Sequence, residues 1–438
     1  MRIRSHETRV CVIGAGSSGI AACKVLQDHG ITFDCFEAGD RVGGNWVYEN
    51  SNGMSSAYRS LHINTSKPRM QYSDFPMPGT FPDFPSHAQI AKYFDSYVDQ
   101  FRLRPRIRFQ CKVTNAEPIA GGGWEVTLAG GSKHTYAALL VANGHHWDVR
   151  WPDPPFAGRF DGPVMHSHDY KTPDGFEDQR VLIVGFGNSA MDIAVELSRV
   201  ARTTLLSVRR GFYVIPKHIL GKPLDQQPLP KSMPFWMQQS ILAAAIRLQM
   251  GSVTSFGLPQ PDHKLLNAHP TISSEILNRI AHGDVRPKKN VYLLDGDHVI
   301  FEDGSREPVD RIIYCTGYKV TFPFFRPQLI EAQGNDLPLF HRVFHPSFPD
   351  LFFIGLLQPL GAIMPLAELQ SEWVSRYLTG ACELPPAERM QREIEQERAA
   401  MRKRYGNAPR HTMQVDFDPY VAAVQREMKR GARALASR

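Results

Sequence analysis

The stretch RVCVIGAGSSGIAACKVLQDHGITFDCFE, residues 9–37, decides the fold. Its opening residues read as a short buried strand, GAGSSG at 14–19 as a tight turn, the run to His29 as a helix, and ITFDCFEA as a second strand ending near Glu37. That order of strand, glycine-rich turn, helix, strand and acid is far more specific than the glycines alone and reads as a dinucleotide-binding unit. Gly14 permits the turn, Gly16 lets a pyrophosphate approach the backbone, and Gly19 lets the helix pack close to the strand. The helix N-terminus, with Ser18 in its first turn, offers N–H groups to phosphates. Glu37, 23 residues beyond Gly14, is placed to accept hydrogen bonds from a ribose diol.

The same grammar returns in RVLIVGFGNSAMDIAVELSRVARTTLLSVRR, residues 180–210. Gly185, Gly187 and Ala190 take the GxGxxA positions, residues 189–200 read as helix, and TTLLSV is the next strand. That strand ends in Arg209 and Arg210 rather than an acid. An acid would oppose a 2′-phosphate, whereas a guanidinium pairs with it, so the second site reads as an NADPH site and the first as an FAD site.

Between the turns, VTNAEPIAGGGWEVTLAGGSKHTYAALLVANG contains short strands and glycine-rich turns, the pattern of a three-stranded excursion with a return strand closing at Asn143 and Gly144. IIYCTGY, residues 312–318, gives a second return strand, and PDLFFIGLLQPLGAIMP brings the chain back to its first domain. The expected fold is therefore α/β, with two Rossmann-like dinucleotide-binding domains and the NADPH domain inserted into the FAD domain. Residues 1–170 would be the first part of the FAD domain, 171–318 the NADPH domain with a helical insertion, and 319–380 the FAD-domain return. Residues 381–438 would be a charged helical tail. Residues 231–250 read as mainly helical; residues 386–405 read as a charged helix with few apolar anchors, a solvated surface arm, and the final KRGARALASR as frayed.

At 438 residues the chain is long enough for two or three lobes, and 42% apolar against 21% charged residues suits a globular enzyme. The net charge of +6 is spread widely, with no tract interleaving bases and aromatics, which argues against a nucleic-acid partner. Six scattered cysteines form no close pair, and the histidines form no metal motif, so no metal is expected. The strongest apolar run, LFFIGLLQPLGAIMPL, has 16 residues and two prolines, short of a spanning helix. No secretory segment follows the N-terminal charges, so a cytoplasmic location is expected.

The sequence resembles the flavin-containing monooxygenases, the class B flavoprotein monooxygenases. In FDGPVMHSHDY, residues 160–170, Phe160, Gly162, His166 and Tyr170 match the family pattern FxGxxxHxxx(Y/F). The resemblance continues through EAGDRVGGNW, LHINTSKPRM, SDFPMP, YCTGY and GLLQPLGAIMPLAELQ, over roughly residues 8–380. It implies that Gly14, Gly16, Ser18, Gly19 and Glu37 hold FAD, with Arg41 and Trp46 near the ribityl or pyrophosphate region. Asn64, in LHINTSK beside the cofactor-contacting His62, matches the active-site asparagine that orients NADP+ and stabilises the oxygenated flavin. Gly185, Gly187, Asn188, Ser189, Arg209 and Arg210 match the NADPH series; Thr316, Gly317, Tyr318 and Gln358 fall at further cofactor contacts. Tyr170-Lys171 and the passage RRGFYVIPKHILGKP are similar to a bacterial soluble or YUCCA-like branch, for which no apolar C-terminal anchor of the vertebrate microsomal kind is expected.

The activity so implied is an NADPH- and oxygen-dependent monooxygenase. It would form a C4a-hydroperoxyflavin and pass one oxygen to a small soft nucleophile, an amine or a sulfide. Baeyer-Villiger chemistry and a two-nucleotide flavin reductase are the alternatives, the latter lacking a close cysteine pair here. A binding protein that retains FAD without turnover is a third reading. A homodimer is one assembly left open.

Overall fold

Every side chain of Val10–Ile13 and of Ala138–Val141 is buried, the signature of parallel strands covered on both faces. These strands pair in register at the centre of a six-stranded sheet. Phe33–Phe36 and then Ile107–Arg108 extend it in parallel on one side. Phe348–Phe353 extends it in parallel on the other, where Phe344–His345 forms the antiparallel edge. The computed structural model describes residues 9–227, 233–267, 270–405 and 412–436. The chain divides into two compact units: residues 1–57, 67–148 and 319–438 form the first, and Tyr58–Ser66 with Val149–Tyr318 form the second.

In the first unit the helix Ser17–Asp28 packs on Met364–Leu378. The expected excursion is the antiparallel meander Val113–Pro118, Trp124–Leu128 and Lys133–Tyr136. Asp350 anchors it, accepting from Gly123 N–H at 2.7 Å and from Trp124 Nε1 at 2.9 Å. All six cysteines are free thiols.

The C-terminal segment departs from the surface-arm expectation. Ala387–Tyr405 and Phe417–Ala436 are both helical, with Met390, Ile394, Val424 and Met428 buried. Charges that read as solvated are paired within the unit: Arg398 with Asp336, Glu397 with the buried Arg342 at 3.0 Å, and Arg404 with Asp416. Instead of fraying from residue 429, the chain stays helical to Ala436, and its Gly431 backbone approaches Cys382 and Glu383 so closely that a Cβ there would overlap both. The last two residues of the expected frayed segment lie outside the described residues.

The second unit is built on a five-stranded parallel sheet in the order Val164–His166, Arg311–Tyr314, Arg180–Val184, Thr203–Ser207, Val285–Lys288. The helix Asn188–Leu197 follows its central strand. A second sheet pairs Ala157–Phe160 with Val291–Gly296, His298–Phe301 and Arg306–Pro308. The unit's long segment therefore starts at Val149 rather than at the expected residue 171, because two strands before 171 are hydrogen-bonded into its sheets. The insertion helix is Phe235–Met250; residues 231 and 232, expected within it, lie outside the described residues.

Candidate active site

In the first unit, three glycine-bearing segments converge on the start of the helix Ser17–Asp28. Gly14 has φ +98°, and a Cβ there would lie 2.6 Å from the Ala142 carbonyl oxygen. A Cβ on Gly19 would overlap the Gly14 carbonyl, so the helix meets the turn this closely only because Gly19 lacks one. Gly43 N–H donates to Ala15 O at 3.0 Å, bringing Gly44 against Gly16. Gly355, just after the return strand, rests on the Ser18 side chain. The sequence reading singled out neither the Gly43-Gly44 pair nor Gly355 as site builders, although both lie in the passages GDRVGGNW and GLLQPLG.

Glu37 is buried, and its carboxylate accepts from Ala15 N–H and Gly39 N–H, both at 2.7 Å, and from Asn52 Nδ2 at 3.3 Å. It shapes the turn as well as offering its remaining acceptor capacity. Arg41 is exposed and pairs with Asp40 at 3.1 Å, while Trp46 is half-buried in the one-turn helix Gly44–Trp46. Gln358 donates its backbone N–H to Met413 O at 2.8 Å, in the pair that joins Gln358–Leu360 to Gln414–Asp416. Loss of solvent lowers the half-buried His145 imidazole and favours its neutral form.

The second unit repeats the turn. Gly185 has φ +131°, and a Cβ would lie 2.6 Å from Cys315 O. Asn188 does not point its amide oxygen at open space; it accepts from Ile272 N–H at 2.8 Å. Ser189 is half-buried in the first turn. Arg209 and Arg210 are exposed after the strand Thr203–Ser207. Arg210 adds to the pull, mainly from His263, that lowers the carboxyl of Asp262, whereas Arg209 has no partner among the described residues. The Thr316 hydroxyl donates to Arg150 O, and Gly317 O accepts from Arg150 N–H at 3.0 Å.

Tyr318 presents its ring to His166 at 5.3 Å between centroids, and Trp151 lies 5.7 Å from the same imidazole. His166 is buried, accepts at Nδ1 from His168 N–H at 3.1 Å, and is held uncharged by burial, at about 4. In the neutral ring the proton therefore sits on Nε2, which is buried and has no hydrogen-bond partner among the described residues.

Residues 58–66 join this second unit, although the chain on either side of them belongs to the first. Asn64 is half-buried there, between two tethered neighbours: Ile63 O accepts from Lys217 Nζ at 3.0 Å, and Ser66 N–H donates to Asp225 at 2.7 Å. Its amide is uncommitted among the described residues. His62 is exposed, with Nδ1 2.7 Å from Ser60 O. The structure thus groups His62 and Asn64 with Gly185, Gly187 and Arg209, not with Gly14 and Glu37.

A family model described as "Flavin-binding monooxygenase-like" matches residues 7–432. The chain belongs to this flavin monooxygenase family. Flavin-containing monooxygenase 5 of Oryctolagus cuniculus is 39% identical over 433 residues, covering 93% of this chain and 80% of the relative. Dimethylaniline monooxygenase [N-oxide-forming] 2 of Macaca mulatta is 34% identical, covering 94% and 81%. The S-allyl-L-cysteine S-oxygenase of Allium sativum superposes with a TM-score of 0.73 at 24% identity, over 96% of this chain and 88% of that one, which is a likeness of fold. This flavin monooxygenase binds FAD and NADPH and uses oxygen. Both curated relatives are mammalian, where the sequence reading expected a bacterial or YUCCA-like branch.

The two turns pass a direct test of fit to such cofactors. At Gly14, Gly19 and Gly185 the protein itself forbids a side chain, but at Gly187 a Cβ would meet nothing within 4 Å, and at Gly16 nothing nearer than 3.7 Å. Gly187 thus faces open space and Gly16 meets only Gly44 at ordinary contact distance, and each is the N-cap of a helix that no side chain caps. Free N–H groups facing open space are what a pyrophosphate requires. Among the described residues no helix is long and apolar enough to cross a membrane.

Proposed function

We propose that this monooxygenase oxygenates a small soft nucleophile, an amine or a sulfide, with FAD held by the first unit and NADPH by the second. The observation that carries the reading is Asn64, a half-buried, uncharged amide with no partner among the described residues, borne by the unit that also carries the Arg209 nucleotide turn. FAD, when bound, supplies the electron and oxygen chemistry. The chain's residues bind, orient and exclude water. N–H groups of the helices that begin after Gly16 and Gly187 hold the two pyrophosphates. Glu37 accepts from the adenosine ribose, and Ser18, Gly355 and Gln358 border the flavin nucleotide. Arg209 takes the 2′-phosphate, with Arg210 beside it. Thr316, Gly317 and Tyr318 close the nucleotide side, and Asn64 donates to the cofactors without adding a charge. His166 stays neutral and keeps its proton, so it orients rather than titrates.

An amine is consistent with the name of the N-oxide-forming relative, which describes that protein's product. The bacterial or YUCCA-like placement rests on Tyr170-Lys171 and on residues 209–223 and does not narrow the substrate further. Asn64→Ala is expected to leave FAD content unchanged, lower oxygenated product per NADPH by about tenfold and release the balance as hydrogen peroxide. Product and peroxide are quantified together over a panel of amines, sulfides and ketones. Unchanged product yield would remove Asn64 from the site, and turnover of ketones alone would replace the substrate reading.

Arg209→Ala should raise the KM for NADPH about tenfold or more while leaving NADH kinetics nearly unchanged, because only the phosphorylated ribose loses its ion pair. Equal losses with both nucleotides would show that Arg209 does not read the 2′-phosphate.

A further inference from the structure

The polar tethers of residues 58–66 run to the nucleotide unit's own elements. The buried Tyr58 hydroxyl donates to Asp192, on the helix Asn188–Leu197. Ser60 Oγ donates to Glu196 of the same helix at 3.0 Å, and Tyr170, the last residue of the FDGPVMHSHDY signature, donates to the same oxygen at 2.9 Å. Asp192 and Glu196 are four residues apart, so they share one face of the helix. The rings of Tyr58 and Tyr170 meet edge to face at 6.2 Å. On the far side, Lys217 Nζ holds the Ile63 carbonyl, adjacent to Asn64, at 3.0 Å. Arg59 N–H donates to Lys171 O at 2.8 Å.

We infer that Tyr58, Asp192 and Lys217 form a latch that positions Asn64 against the nucleotide helix, so that the same rigid helix sets both the pyrophosphate site and the active-site amide. Asp192 lies five residues beyond Gly187, about 7 to 8 Å along the axis, close enough for one rigid element to fix both ends. The latch is also costly to open. Asp192 is half-buried; loss of solvent raises its carboxyl and Glu196 adds to the rise, with the Tyr58 hydroxyl and the charges of Lys217 and His62 working against it. Burial likewise lowers the Lys217 ammonium, which Asp192 opposes. Each group therefore leans on the other's charge, and removing either leaves a half-buried partner less compensated. Tyr58, Asp192 and Lys217 are positioning residues: they act on the reaction only through Asn64. The inference rests on the reading of Asn64 given above.

The test measures product and hydrogen peroxide per NADPH in the FAD-loaded enzyme carrying Tyr58→Phe, Lys217→Met, Asn64→Ala, and the pair Tyr58→Phe with Asn64→Ala. Tyr58→Phe keeps the ring on Tyr170 and removes only the donor. It should raise the peroxide fraction about fivefold, a coupling of the size contacting residues show, and Lys217→Met should act in the same direction. In the double variant the Tyr58→Phe effect should vanish, since the amide it positions is gone. A residue that merely stabilises the fold would still add its effect there, so additive losses overturn the latch. Full coupling in both Tyr58→Phe and Lys217→Met, with Asn64→Ala uncoupled, overturns the latch and leaves the Asn64 reading intact. Full coupling in Asn64→Ala overturns both. Should either single variant fail to fold, the other single variant and its own pair with Asn64→Ala decide.

Discussion

Gly19→Ala is expected to abolish flavin binding and to leave little folded protein. The built Cβ would overlap the Gly14 carbonyl oxygen and lie 2.8 Å from its carbon, and both atoms belong to a backbone fixed by its own neighbours. Gly14 N–H is bonded to Phe36 O at 2.8 Å, and Gly14 itself lies against Ala142, so the turn has no room to retreat. Relief must come from sliding the helix Ser17–Asp28 off the sheet, which breaks its packing on Met364–Leu378 and moves the N–H groups that would hold the phosphates. Overpacking of this kind costs about 1 to 3 kcal/mol when side chains can yield, and more when only backbone can. Against a total stability of about 5 to 15 kcal/mol, that loss is large. Flavin absorbance per protein and the melting temperature read it directly. Gly30→Ala is the control: φ +67° strains the backbone, but nothing lies within 4 Å, so it should cost about 1 kcal/mol and keep its flavin. Full flavin content in Gly19→Ala would show that the close approach of helix and turn is not what holds the flavin site.

Both nucleotide folds were legible in the sequence because their signals are local and steric. A buried four-residue strand, a glycine that must turn and a glycine that must let a helix approach are consecutive, and no distant partner is needed to interpret them. The location of Asn64 was a different kind of fact. Its residue type and motif could be read, but its membership of the second unit is set by the bond from Tyr58 to Asp192, 134 residues away, and by Lys217. Nothing near residue 64 announces those partners. The same holds for the start of the second unit. Val164–His166 is a three-residue strand with one buried side chain, too short to show a period, and only its pairing with Arg311–Tyr314 declares it.

A motif position likewise does not say how its polar group is used. Asn188 falls in the nucleotide turn, yet its amide oxygen holds Ile272, and Arg41 spends its guanidinium on Asp40. In the tail, a charge-rich helix reads as solvated until its partners are seen; Arg342, Asp336 and Asp416 lie 12 to 62 residues from the groups they bind.

Gly187→Val is expected to give a stable, fully flavinated enzyme that has nearly lost NADPH oxidation. Gly187 has φ −83° and ψ 178°, an extended conformation that valine adopts readily, and nothing lies within 4 Å of a Cβ placed there. The protein thus pays only the preference of a helix cap for glycine over valine, about 1 kcal/mol. The new side chain would instead occupy the space in front of the first turn of Asn188–Leu197, where the N–H groups are uncapped and a pyrophosphate would bind. A fall in kcat/KM for NADPH of about 100-fold or more corresponds to about 2.7 kcal/mol of lost interaction. Reduction of the bound flavin by dithionite should proceed as in the unmodified enzyme, which separates nucleotide binding from flavin competence. NADPH kinetics within twofold of the parent would show that the open space is not the phosphate site. Gly185→Ala makes the contrast sharp. Two residues earlier in the same motif, its Cβ would press to 2.6 Å of Cys315 O at φ +131°, so it should lower the melting temperature by several degrees before any nucleotide is added. The protein's own packing requires one glycine and leaves the other free, and only the atoms around each Cβ position tell them apart.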